Sequence, residues 1–174
     1  MVIAAGVFLS GKKVGPRFVE MSKLINKFDF LEFKDVVSKY NDLEISSIEL
    51  NHPGKSSGYS IVSDQIKFCY LLDNEYEDSQ ENELVKFCDN SDTVIWDGMY
   101  LEIELLSKKG WGHSSVEQGI DFANKINVKN FLISHHSPLR EDKEIKKIQG
   151  NIINKKIKFA SENEVINFNG KETI

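Results

Sequence analysis

The chain has 174 residues, 40% of them hydrophobic and 28% charged, with a formal net charge of -5. Those values fit one ordinary domain with a real core and exclude a disordered or fibrous protein. The acidic balance argues against general nucleic-acid or membrane-surface binding and leaves room for a local phosphate-recognising patch.

In chain order, the apolar run 2–9 is short and has no basic flank before it. It reads as a strand or buried turn rather than a signal peptide, and no stretch is long enough to span a bilayer. Residues 1–43 are the least regular part. Residues 44–50 have strand-like content and end at Asn51-His52-Pro53-Gly54, a turn signal. Residues 58–63 and 65–72 form a predicted hairpin across Ser63-Asp64. A helix follows over 78–88, then a short buried strand over 93–96 ending at Asp97.

After the loop 108–112, Ser114-Ser115-Val116-Glu117 reads as a capping box opening a helix with Val116, Ile120, Ala123 and Ile126 on one face. Residues 128–133 are a second buried strand, ending at Ser134-His135-His136. Ser137-Pro138 suits a helix entry. Ile145, Ile148, Ile152 and Ile153 mark an amphipathic helix, with closing strands at 156–160 and 165–168. Cys69 and Cys88, the only cysteines, read as buried free thiols in a reducing compartment, which sets a cytoplasmic expectation.

Strands alternating with helices predict an α/β layer, where ligands gather at the carboxyl ends of strands. His52, Asp73, Asp97 and His135 all fall at predicted strand ends, and His113 just precedes the helix cap. Imidazole and carboxylate bind borderline-hard metals and move protons near neutral pH. Each position also has a plainer reading. His52 fits a turn histidine bonded to the main chain, Asp73 a turn cap, and Gly110-Trp111-Gly112-His113 a loop anchored by its tryptophan. An Asp97–His113 pair would make a proton shuttle. Of His135 and His136, adjacent at a strand end, only one can face a given site.

From about 44 to 148 the chain resembles the metallo-β-lactamase-fold hydrolases, in the branch of ribonuclease Z and cyclic-nucleotide phosphodiesterases. His52-Pro-Gly-Lys-Ser-Ser-Gly-Tyr59 is similar to a motif whose histidine is a metal ligand. Leu71-Leu72-Asp73-Asn74-Glu75-Tyr76 resembles the strand that ends in a metal-bridging aspartate. Val94-Ile95-Trp96-Asp97 and Gly-Trp-Gly-His113-Ser resemble the acidic residue and the catalytic histidine it supports. Leu132-Ile133-Ser134-His135-His136 looks like the last ligand motif.

The resemblance implies metal ligation by His52, Asp73 and His135, and catalysis by His113 with Asp97. It further implies Zn2+ (or Mn2+ or Fe2+), with two ions in an intact relative, and a small-molecule or nucleic-acid phosphodiester as substrate. The family's His-x-His-x-Asp-His motif is absent, and no histidine precedes His52. The expectation is therefore a four-layer αββα sandwich, N-terminally incomplete: a single partial domain over 1–174 with its motifs in 44–148. Activity is expected to be impaired or absent, because a two-ion site needs ligands from both halves. Apolar surface left by a missing sheet would favour a homodimer. The alternative is a non-catalytic binding or dimerising remnant of the same fold.

Overall fold

The computed structural model describes residues 38–40, 42–64 and 66–166. Chain contacts divide the protein into two units, Met1–Lys34 and Asp35–Ile174, and the description concerns the second. The predicted segment 2–9 lies outside the described residues, as do the last two positions of the strand expected at 165–168; Val165 and Ile166 are not in a strand.

Among the described residues, seven strands form one sheet in sequence order: β1 (Ser38–Tyr40), β2 (Leu43–Leu50), β3 (Ser56–Ser63), β4 (Ile66–Leu71), β5 (Ser91–Asp97), β6 (Val128–Ser134) and β7 (Ile157–Phe159). The first four pair antiparallel and the last four parallel. Helices fill the parallel crossovers. These are α1 (Glu81–Cys88), extended at its start by a 3-10 turn (Asp78–Gln80), then α2 (Glu102–Leu105), α3 (Val116–Lys125) and α4 (Asp142–Gly150). Because each new parallel strand is added on the same side of the last, right-handed crossovers put the helices on one face.

The register shows which face. Val94 and Trp96 stand beside Phe131 and Ile133, and the same row runs on through Cys69 and Leu71. All six are buried in one core, together with Leu84 from α1 and Phe122 from α3. Trp96 stacks on Phe122 with ring centroids 5.0 Å apart. Gly119 lets α3 lie this close, since a β-carbon there would stand 2.6 Å from Cδ1 of Trp96. One β-layer and one α-layer of an αββα arrangement therefore lie among the described residues.

Two helix starts differ from the sequence reading. The cap of α3 is Ser115, paired in a capping box with Gln118, one residue beyond the predicted pair. Ser114 is drawn inward instead, its hydroxyl accepting from Tyr76 N–H at 3.1 Å and donating to the Asn74 carbonyl. Ser137-Pro138 belongs to a turn, and α4 begins four residues later with Glu141 as its cap. Ile145, Ile148 and Ile152 pack on the core, but Ile153 is exposed.

Candidate metal centre

Strand direction decides what meets at the sheet edge. β4, β5 and β6 run parallel, so their carboxyl ends share one edge. β2 is two antiparallel steps from β4, so it points the same way. Asp97 closes β5, Asp73 follows β4, His135 follows β6, and His52 follows β2. His113 reaches the same edge from the loop ahead of α3. Asp73 and His135 both have φ 58. Left-handed backbone is uncommon outside glycine but is best tolerated by Asp, Asn and His, and it turns each side chain back over the strand ends.

Asp73, Asp97, His113 and His135 converge, with one ligating atom from each lying within 4.8 Å of all the others. Asp97 is the centre of the group and is fully buried. Its Oδ2 faces Nδ1 of His113 at 2.9 Å and Nδ1 of His135 at 3.1 Å, and accepts from Asp73 N–H at 3.0 Å and Asn74 N–H at 3.4 Å. Oδ1 accepts from Met99 N–H at 3.1 Å. Burial works to raise the Asp97 pKa, but the hydrogen bonds from His113 and His135 outweigh it and hold the carboxyl below its ordinary value.

An ionised carboxylate facing both Nδ1 atoms fixes both protons there, so each imidazole presents its Nε2 lone pair. The hydrogen bond to Asp97 raises the His135 pKa against the opposing effect of burial. Asp73 lies at the mouth of the cluster, its Oδ1 3.5 Å from His135 Nδ1 and 3.9 Å from His113 Nδ1. His136 turns the other way, onto the Phe159 ring at 4.8 Å between centroids. Burial lowers its pKa.

His52 shares the edge but stands outside this group of four. Its ring meets that of His113 edge-on, with centroids 5.6 Å apart. Its Nδ1 accepts the Gly54 N–H at 3.0 Å, which puts the ring proton of the neutral imidazole on Nε2. Ligation through Nε2 would require this bond to open.

Trp111 does not anchor its loop, since 58% of it is exposed. The anchor is Glu75, whose two carboxylate oxygens each accept a backbone N–H, from Gly110 and from Gly112, at 2.8 Å. Sequence reasoning missed both this clamp and the second histidine on Asp97. The paired glycines around Trp111 were the available signal for the clamp.

Two imidazoles and two carboxylates are donors that suit zinc, manganese or iron, and one ligating atom from each lies close enough to hold an ion. Ligation through either Nδ1 would displace the proton that faces Asp97. No family model and no curated protein sequence matches the chain. Solved structures do. The metallo-β-lactamase fold protein YhfI from Bacillus subtilis aligns with a TM-score of 0.63 at 15% identity, covering 82% of this chain and 59% of that one. The fold is, in part, the metallo-β-lactamase fold. Human tRNase Z, short form, aligns with a TM-score of 0.55 at 20% identity over 71% of this chain and 42% of that one. Zinc-bound PqqB from Methylobacterium extorquens gives 0.50 at 12% identity over 70% and 49%. The chain spans about half the length of the structures it matches.

Proposed function

We propose that the chain is a metal-dependent hydrolase acting on phosphodiester-type substrates, small-molecule or nucleic-acid, through metal-activated water. The observation that carries this reading is the single buried carboxylate of Asp97 orienting two imidazoles beside the open carboxylate of Asp73. The fold shared with human tRNase Z and with zinc-bound PqqB supports it.

In this reading Asp73 and His135 hold the ion, with His52 as the outer member of the set. A divalent ion there supplies Lewis acidity toward a phosphoryl oxygen and water activated near neutral pH. His113, its Nδ1 held by Asp97, takes up a proton at Nε2 and passes it to the leaving oxygen. Asp97 stabilises the charged imidazole while that proton is held. The reading includes a cytoplasmic setting, which suits two free buried thiols.

A second reading, a binding or dimerising module without catalysis, rests on the absence of a His-x-His-x-Asp-His motif from these 174 residues. The deciding experiment loads the full chain with Zn2+ or Mn2+, measures bound metal, and follows hydrolysis of an activated phosphodiester. Turnover that Asp73→Asn removes supports the hydrolase. Stoichiometric metal without turnover supports the module.

A further inference from the structure

We propose that Glu75 is a positioning residue for His113: it clamps the turn that delivers this histidine to Asp97. The inference rests on the reading of His113 as the proton donor. Gly110 and Gly112 have φ 81 and 86, a left-handed pair that side-chain-bearing residues adopt only with strain. Trp111 between them faces solvent and does not hold the turn, while the His52–Pro53 turn lies against Gly112 from one side. What holds it is a charged acceptor taking two main-chain N–H groups at 2.8 Å, a charge-assisted pair stronger than neutral bonds.

Glu75 is itself fixed. Its N–H donates to the Asn51 carbonyl at 2.7 Å and its carbonyl accepts from Asn51 Nδ2 at 3.1 Å. Its neighbours grip the next residue along the same loop, since Ser114 bridges Asn74 and Tyr76. Segment 74–76 thus holds 110–114 at several points around His113, while His113 makes its own bond to Asp97. The remaining freedom of that imidazole is set by where the main chain of Gly112 lies, and Glu75 holds it there against the His52–Pro53 turn on the other side.

The partial redundancy of the site provides the control. His113 and His135 share the same Asp97 oxygen, but only His113 hangs from the clamped turn. Glutamine at 75 keeps one acceptor oxygen and loses the other, and alanine loses both.

The test records the Nδ1–H resonances of both histidines by nuclear magnetic resonance in the metal-free full chain, assigned with His113→Asn and His135→Asn. In Glu75→Ala the His113 signal should broaden or vanish through faster exchange with water, while the His135 signal persists. Glu75→Gln should fall between. An undiminished His113 signal in Glu75→Ala overturns the proposal. Loss of both signals in Glu75→Ala and in Glu75→Gln overturns it too, since Glu75 would then support the fold generally. In the metal-loaded protein kcat should fall about 10- to 100-fold with KM unchanged, the cost of a misplaced group. If no variant, wild type included, hydrolyses phosphodiesters, the hydrolase reading fails, and the resonances still decide the role of Glu75.

Discussion

The imidazole of His52 fills the space that a side chain on Gly112 would need: a β-carbon there would stand 2.2 Å from His52 Cδ2 and 2.7 Å from Pro53 Cδ. The turn before His113 is therefore pressed from one side by the strand-end motif of β2 and held from the other by Glu75. Gly112→Ala must displace the His52–Pro53 turn and accept a left-handed φ. Backbone strain of this kind costs about 1–3 kcal/mol. The variant should melt several degrees below wild type and bind metal more weakly. Unchanged calorimetric and metal-titration curves would refute the packing argument.

Asp97→Asn keeps the shape of the side chain and removes its charge. The amide offers one acceptor oxygen where the carboxylate uses two, and its nitrogen opposes main-chain donors. Breaking a buried charged network from one side costs about 3–5 kcal/mol, and loss of a group that orients metal ligands weakens affinity about 10- to 100-fold. Urea unfolding of the metal-free protein and competition with a chelator check the two numbers separately.

The stability of the metal-free chain should pass through a maximum near pH 6.5. The raised pKa of His135 means that its stabilisation is complete below the unfolded imidazole value, about 6.5, and is lost as pH rises through the folded value. The lowered pKa of His136 acts on the other side, since stability falls as pH drops below about 6.5 toward its folded value. Asp97, also lowered, stabilises above the ordinary carboxylate value of about 3.9 and loses that effect as pH falls through its depressed one. Melting temperatures from pH 5 to 9 should therefore bend, and His135→Asn should flatten the alkaline side. A steady rise across that range would contradict the assignment.

His52 and His135 should differ as ligands. His135→Ala removes a member of the four-residue cluster and should abolish binding of the first equivalent of Zn2+ in calorimetry. His52→Ala should reduce affinity by about tenfold or less, the scale of one supporting hydrogen bond. Equal losses would mean that the Gly54 bond to His52 Nδ1 opens readily and that both histidines ligate.

The sheet edge was legible in the sequence because β4, β5 and β6 carry short apolar runs, β2 has strand-like content, and each ends at a polar motif. The hairpin at Ser63-Asp64 was legible from the β-propensity of its Tyr, Ile, Val and Phe residues. Elements too short for a period to show, β1 and α2, were not foreseen. The cap of α3 was displaced by one residue because Ser114 and Ser115 both satisfy the local pattern. Only the long-range bonds to Asn74 and Tyr76 decide between them. Phe122 escaped notice beside Ala123, although it is the ring on which Trp96 stacks. The Glu75 clamp joins residues 35 and 37 positions apart, a pairing that no local propensity encodes.

Asp73, Asp97 and His135 stand at the ends of β4, β5 and β6, so the sheet alone would set the outer two about 10 Å apart, two strand spacings. The left-handed backbones of Asp73 and His135 close that gap, leaving the ligating groups within 4.8 Å of one another. Two main-chain ladders, β4 to β5 and β5 to β6, fix where these residues start. Donor type becomes a criterion of selection: imidazole nitrogens beside carboxylates suit zinc, manganese or iron, whereas Ca2+, which takes six to eight oxygens at about 2.3–2.6 Å, would meet only two carboxylates among these four side chains.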